Sequence, residues 1–376
     1  MLKTLMVFSF CFISFFSTAQ FKITFQITGL PAYHNQADDI FIAGSFNNWN
    51  PAQEQTVFEK DKNGNLFLTL APAKGKYEYK LTRGSWEKVE SGEAGFPLEN
   101  RMVEVNSDTV IKLNIQHWAD HFPKKTKAST ANKNVQIIET AFFIPQLNRT
   151  RRIWIYLPES YSSSRKKYPV LYMHDGQNVF EDTTSFSGEW GVDEAMDTLG
   201  KSKEMIVVAI DNGGDKRLNE YAPFDMERFG KAEGDEYVAF LINTLRPYIN
   251  KKYRTKKCGK HNYVAGSSMG GLISFYAILK YPKKWGGAGV FSPAFWIVPQ
   301  LKNIVSEKSK KVKGKIYFYA GKQEGEEMVP DMLTVFSQMN QYSKAKMETV
   351  IRTEGKHNEA TWRKEFPLFY KWLTSF

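Results

Sequence analysis

The stretch Tyr263-Val264-Ala265-Gly266-Ser267-Ser268-Met269-Gly270-Gly271-Leu272-Ile273-Ser274-Phe275-Tyr276 decides how the rest of the chain is read. It runs from a short apolar strand, through a turn of small residues, into an apolar helical run. The turn carries G-x-S-x-G with Ser268 at its centre. A sharp strand-to-helix turn lifts a serine hydroxyl to the start of the helix, where it can act as a nucleophile. Gly266 and Gly270 leave the room that such close backbone approach demands. The same small residues could form a turn with no chemistry, so the partners of Ser268 carry the argument further.

Serine is a weak nucleophile at neutral pH and needs a positioned base. His357 is the one histidine after Ser268, and it sits in Glu354-Gly355-Lys356-His357-Asn358-Glu359, between a strand and a final helix. An acid must orient the imidazole and stabilise its charged form. Glu324 follows the strand-like Ile316-Tyr317-Phe318-Tyr319 and is well placed, with Glu326, Glu327 and Asp331 open as alternatives. Two backbone N–H groups must meet the developing oxyanion. One is expected from Met269, the other from Gly176 or Gln177 in the loop His174-Asp175-Gly176-Gln177-Asn178. His174 reads as structural support for that loop.

Around these residues, strand-like runs at 153–157, 170–173, 205–210, 263–265, 289–291, 316–319 and 348–351 alternate with helical ones near 191–199, 235–250, 270–281, 328–343 and 359–373. Such alternation predicts a mostly parallel sheet covered by helices on both faces. The domain spans residues 135–376. Before it, residues 122–134 are lysine-rich and polar and read as a linker. Residues 20–121 show short alternating runs, including Phe21-Lys22-Ile23-Thr24-Phe25-Gln26-Ile27, and the turn Asp61-Lys62-Asn63-Gly64-Asn65. They predict an all-β sandwich.

Residues 1–19 read as a secretory leader: Lys3, an apolar run from Leu5 to Phe16, and the small residues Ser17-Thr18-Ala19 before the cut. A secreted or periplasmic location is expected. Removing the leader takes away Lys3 and Cys11. The formal charge of +11 falls to +10, and Cys258 stays alone, so neither a disulfide nor a cysteine metal site is expected. The 376 residues are 42% hydrophobic and 24% charged, which excludes a disordered chain, and no apolar run is long enough to span a bilayer. The six histidines are scattered without metal-ligand spacing. No cofactor, metal or nucleic acid partner is expected, and the positive charge reads as solubility.

Tyr172-Met173-His174-Asp175-Gly176-Gln177-Asn178, Trp190-Gly191-Val192-Asp193, Arg217-Leu218-Asn219-Glu220-Tyr221, Gly266 to Gly271 and Phe291-Ser292-Pro293 make residues 135–376 resemble the Putative esterase family of α/β-hydrolases. That family holds enterochelin esterases, S-formylglutathione hydrolases and the esterases of carbohydrate esterase family one. The resemblance implies an α/β-hydrolase fold and a triad of Ser268, His357 and Glu324, although many members have Asp at the acid. Phe41-Ile42-Ala43-Gly44-Ser45-Phe46-Asn47-Asn48-Trp49-Asn50-Pro51 and Tyr77-Glu78-Tyr79-Lys80 resemble glycogen- or starch-binding modules. This second resemblance implies an immunoglobulin-like sandwich in which Trp49 and Trp86 stack on sugar rings, with Lys80 and Asn100 bonding hydroxyls. The expectation is a serine esterase acting on acetyl or feruloyl esters of carbohydrate. The alternatives are a siderophore esterase and a glycan-binding protein with an inert hydrolase domain.

Overall fold

The computed structural model describes residues 21–47, 49–123, 128–185, 188–199, 203–226 and 229–375. The leader expected at 1–19 and its Cys11 lie outside the described residues. The chain divides into two compact units, Met1–Thr126 and Lys127–Phe376.

In the first unit, strand Ile23–Gly29 pairs antiparallel with Leu66–Leu70 and parallel with Thr109–Asn114. Strands Phe41–Gly44, Gly75–Thr82 and Arg101–Val105 form a second sheet. Alternation puts Ile23, Phe25 and Ile27 of the first sheet, and Ile42, Tyr79 and Leu81 of the second, into one apolar core. The turn at Asp61 is held by its own carboxylate. Oδ1 accepts from the N–H groups of Asn63 and Asn65, both at 2.8 Å. This joins the short strand Glu59–Lys60 to Leu66–Leu70.

The second unit is built on eight strands, labelled in chain order: β1 Val135–Ile144, β2 Arg149–Tyr156, β3 Val170–His174, β4 Ile206–Ile210, β5 Asn262–Ser267, β6 Gly287–Phe291, β7 Lys315–Gly321 and β8 Lys346–Arg352. Their order in the sheet is β1-β2-β4-β3-β5-β6-β7-β8. Strand β2 runs antiparallel to both neighbours, and every pair from β4 to β8 is parallel. The residues of β3, β4 and β6 are all buried, as expected for central strands covered on both faces. The helices that bear on the site are α1 Val192–Thr198, α2 Met269–Lys280, α3 Met328–Tyr342 and α4 Glu359–Leu373. Two large apolar clusters line the opposite faces of the sheet. This is an α/β-hydrolase-like fold.

The expected elements recur; helices Arg217–Tyr221 and Leu301–Lys308 are added to them, and three further differences stand out. Strand β1 is not among those read from the sequence. Its pairing with β2 shifts register between Ile137 and Glu139 and again between Glu139 and Phe142, and each bulge resets the phase of alternation. The helix expected at 235–250 is interrupted by a π-turn, Leu241–Leu245, just before Pro247. A wider turn spares the proline ring its clash with the carbonyl four residues back.

The third difference lies in the linker expected at 122–134. Its later residues are tied to the second unit. Ser129 Oγ donates to Glu181 at 2.5 Å, Thr130 Oγ1 donates to Glu189 at 3.0 Å, and the Asn132 N–H donates to Asp193 at 2.8 Å. Buried carboxylates need donors, and this polar stretch supplies them.

Candidate active site

Strand β5 ends at Ser267 and α2 begins at Met269, so Ser268 alone makes the turn. It does so at φ 59°, ψ −122°. A non-glycine residue held there costs about 1–3 kcal/mol and persists only where its surroundings enforce it. They do. The Ser268 N–H donates to the Phe291 carbonyl at 2.9 Å, and its carbonyl accepts from Leu272 at 3.0 Å and Ala294 at 3.2 Å. A Cβ on Gly266 would lie 2.9 Å from the Gly270 carbonyl carbon, and one on Gly271 2.6 Å from the Phe291 oxygen. Only glycine lets the helix start this close to the strand. The Met269 N–H opens α2 and belongs to the first turn, where helix donors have no intrahelical acceptor.

The loops after β6, β7 and β8 converge on the same end of the sheet. The Glu324 carboxylate, fully buried, follows β7. Its Oε1 accepts from the Gly321 N–H at 2.6 Å and from Ser292 Oγ at 2.9 Å. Its Oε2 lies 2.9 Å from His357 Nδ1 in the loop after β8. A carboxylate only accepts, so Nδ1 carries the proton and Nε2 is left as the basic nitrogen. The alternative acids stand elsewhere: Asp331 pairs with Lys302 Nζ at 2.6 Å, and Glu326 and Glu327 are exposed. Held in this way, the imidazole can take up a proton at Nε2 while a buried carboxylate offsets its charge.

The loop after β3 closes the other side. Asp175 adopts φ 55°, ψ 50°, and Gly176–Asn178 forms a single 3₁₀ turn. A Cβ on Gly176 would stand 2.7–2.8 Å from backbone atoms of Ile210 and Asp211. A Cβ on Gly270 would touch Asp175 Oδ2 at 3.2 Å and His174 Cβ at 3.3 Å, so the loop lies against the first turn of α2. His174 is buried, and its Nδ1 lies 2.9 Å from the Tyr237 hydroxyl. Burial pushes its pKa down to about 4, so the ring is neutral.

Four residues given no role from the sequence complete the surroundings. Arg217 grips Asp175 with two bonds, Nε to Oδ1 at 2.6 Å and Nη2 to Oδ2 at 2.8 Å, and Asn212 adds a third at 2.7 Å. Burial alone would raise the Asp175 pKa, but the Arg217 charge and these bonds outweigh it and hold the carboxyl below its usual range. Trp362 donates Nε1–H to Ser292 Oγ at 2.9 Å and sets its ring edge-on to His357, centroids 5.1 Å apart. It therefore supports both Glu324, through Ser292, and His357. The motifs Arg217 to Tyr221 and Phe291-Ser292-Pro293 contained two of these residues, but their partners lie 42 and 32 positions away.

In the first unit, Trp49 (φ 60°) and Trp86 are half-buried neighbours with ring centroids 6.3 Å apart and planes tilted by 35°. Lys80 Nζ donates to the Leu98 carbonyl, and Asn100 Nδ2 donates to Glu78 at 2.9 Å. Both polar groups are thus engaged within the protein. Among the described residues, no cluster of three or more His, Cys, Asp or Glu could hold a metal ion, and no helix is long and apolar enough to cross a membrane.

The fold and its kin define a carboxylic ester hydrolase of α/β-hydrolase-like architecture. The family model described as Putative esterase matches residues 144–372, and the chain belongs to that family. An uncharacterized protein of Bacillus subtilis, YbbA, is 28% identical over 183 residues, 47% of this chain and 70% of that protein. An endo-1,4-beta-xylanase/feruloyl esterase of Xylanibacter ruminicola is 27% identical over 238 residues, 61% of this chain but only 30% of that protein. A solved enterobactin esterase from Shigella flexneri shares the fold at a TM-score of 0.52 and 13% identity, covering 94% of this chain and 92% of its own.

Proposed function

We propose that this chain hydrolyses acetyl or feruloyl esters on carbohydrate through an acyl-enzyme on Ser268. The observation that carries the reading is the hydrogen-bonded pair of His357 and the buried Glu324, set at the same sheet edge as the strained Ser268. Ser268 Oγ attacks the ester carbonyl while His357 Nε2 takes its proton. The N–H of Met269 and that of Gly176 or Gln177 receive the oxyanion. The imidazolium returns the proton to the leaving alcohol, and water then releases the acid by the same path. A feruloyl esterase among the relatives supports the substrate class. Secretion belongs to the same reading and rests on the residues of the expected leader.

A phosphonate probe is expected to label Ser268, and Ser268→Ala to lose nearly all turnover while melting as the wild type does. Labelling of a different serine overturns the assignment. A hydrolysis panel of acetylated xylan, methyl ferulate, short nitrophenyl esters and a catecholate trilactone identifies the ester. The trilactone represents a second reading, a siderophore ester, kept because the enterobactin esterase fold extends over 94% of this chain.

The first unit is proposed to hold glycan on the paired rings of Trp49 and Trp86, with Lys80 and Asn100 exchanging their present partners for sugar hydroxyls. Each stacked ring contributes about 1 kcal/mol. Replacing both tryptophans by Ala is expected to abolish retention on immobilised glucan or xylan and to leave kcat on a soluble ester unchanged. Retention unaffected by the double change would refute the platform.

A further inference from the structure

The positive charge looks scattered along the sequence, but the topology gathers it. Basic runs occupy residues 165–167, 256–260 and 310–315. Each immediately precedes a strand: β3, β5 and β7. These strands are parallel and lie within four consecutive places of the sheet, so their leading loops meet at one edge. That edge is the start of the strands, and Ser268 stands at their far end. A cavity of about 590 Å³ opens there, lined by seven lysines.

Glu204 is the only carboxylate among the described residues that line this cavity, and Lys166 already pairs with it. Lys315 spends its Nζ on carbonyls at the end of α4, those of Trp372 at 3.2 Å and Leu373 at 3.1 Å. Of the other five, Lys203 is half-buried, and Lys167, Lys256, Lys260 and Lys313 stand exposed around the cavity. Their crowding is felt by neighbours. Burial, then the charges of Lys256 and Lys260, pull the His261 pKa down, and burial, then Lys346 and Lys203, do the same to Lys315. Like charges packed at one edge raise the local potential and draw in anions.

We infer that this cavity is a binding site for an anionic polysaccharide, with uronate carboxylates seated among Lys167, Lys256, Lys260 and Lys313. Two features select this class. Among the described residues no arginine lines the cavity, so no fork is present to clasp a single compact phosphate or carboxylate, and the separate lysines, hydrated point charges on flexible stems, can meet carboxylates spaced along a chain. Tyr263, half-buried in the wall, adds an aromatic side chain of the kind that covers the C–H surface of a pyranose. The site stands apart from the chemistry at Ser268 and does not depend on which ester is cleaved.

The test measures binding of polygalacturonate to the full chain at low and at high salt. A triple variant, Lys256→Gln with Lys260→Gln and Lys313→Gln, is compared with a control triple of equal charge loss, Lys62→Gln with Lys74→Gln and Lys76→Gln. The cavity triple is expected to bind at least tenfold more weakly with a flatter salt dependence, and the control to stay within twofold of wild type. All three lysines are exposed, so hydrolysis of nitrophenyl acetate is expected to be unchanged. Should the triple lose that activity, the three single replacements, each expected to weaken binding two- to threefold, decide the matter. Equal weakening in both triples, absence of saturable binding by the wild type, or tighter binding of duplex DNA than of polygalacturonate at the same salt would each overturn the inference.

Discussion

Glu324 meets three donors and has no water-facing surface, so its charge is available to the site and to little else. Glu324→Gln keeps the shape and can keep the bonds from Gly321 and Ser292, but it removes the charge that stabilises imidazolium. The expected result is a fall in kcat of about 10²–10⁴-fold with little change in melting temperature, read by steady-state kinetics and calorimetry. An unchanged kcat in this variant, with a crippled Asp331→Asn, would move the acid to Asp331. Ser268, His357 and Glu324 were legible as candidates because each follows a strand in the order that the proposed chemistry requires. Trp362 was not. Its role depends on Ser292, 70 positions earlier, and on a ring contact that only the folded loop creates.

At the scale of elements, the site is made of turns that tolerate no extra atom. Gly176→Ala would place a methyl group 2.7–2.8 Å from the β4 backbone, which cannot move aside as a flexible side chain could. The expected cost is about 1–3 kcal/mol of stability. A drop in kcat should accompany it, because the loop carrying the proposed oxyanion donor must shift. Denaturant melts and kinetics on the same sample check both. Strands β3 to β7 were readable because buried parallel strands are largely continuous apolar runs. Strand β1 hid behind its bulges, and the anchoring of residues 129–134 hid because its partners are carboxylates around α1. One of these carries a pH dependence. Burial raises the pKa of Asp193 to about 7, against about 4 in an unfolded chain. A raised carboxyl is neutral in both states below pH 4, and the fold pays for ionising it as pH climbs from there to 7. Asp193→Asn, still able to accept from Asn132, is expected to gain stability over wild type at pH 8 and to lose that gain near pH 4. Denaturation midpoints at the two pH values test the sign.

Across the whole molecule, the gathering of lysines could not be read from spacing. Residues 165–167, 256–260 and 310–315 become neighbours only because β3, β5, β6 and β7 lie side by side and point the same way. Parallel order is a property of the whole sheet, set by crossover connections that no local window contains. For the same reason the proposed nucleophile, acid and base come from loops spread over about ninety residues.

His357 hangs from β8, which pairs with β7 alone and contributes no fully buried side chain. Protein structures open locally, and the least buried elements open first. A brief detachment of this edge would carry the imidazole away from Glu324 while the central strands stay paired. Catalysis is then expected to fail at a lower denaturant concentration than global unfolding, and amide exchange in residues 346–352 to outpace that in β5 and β6. Coincident loss of turnover and tertiary fluorescence would show instead that the edge and the core melt as one unit.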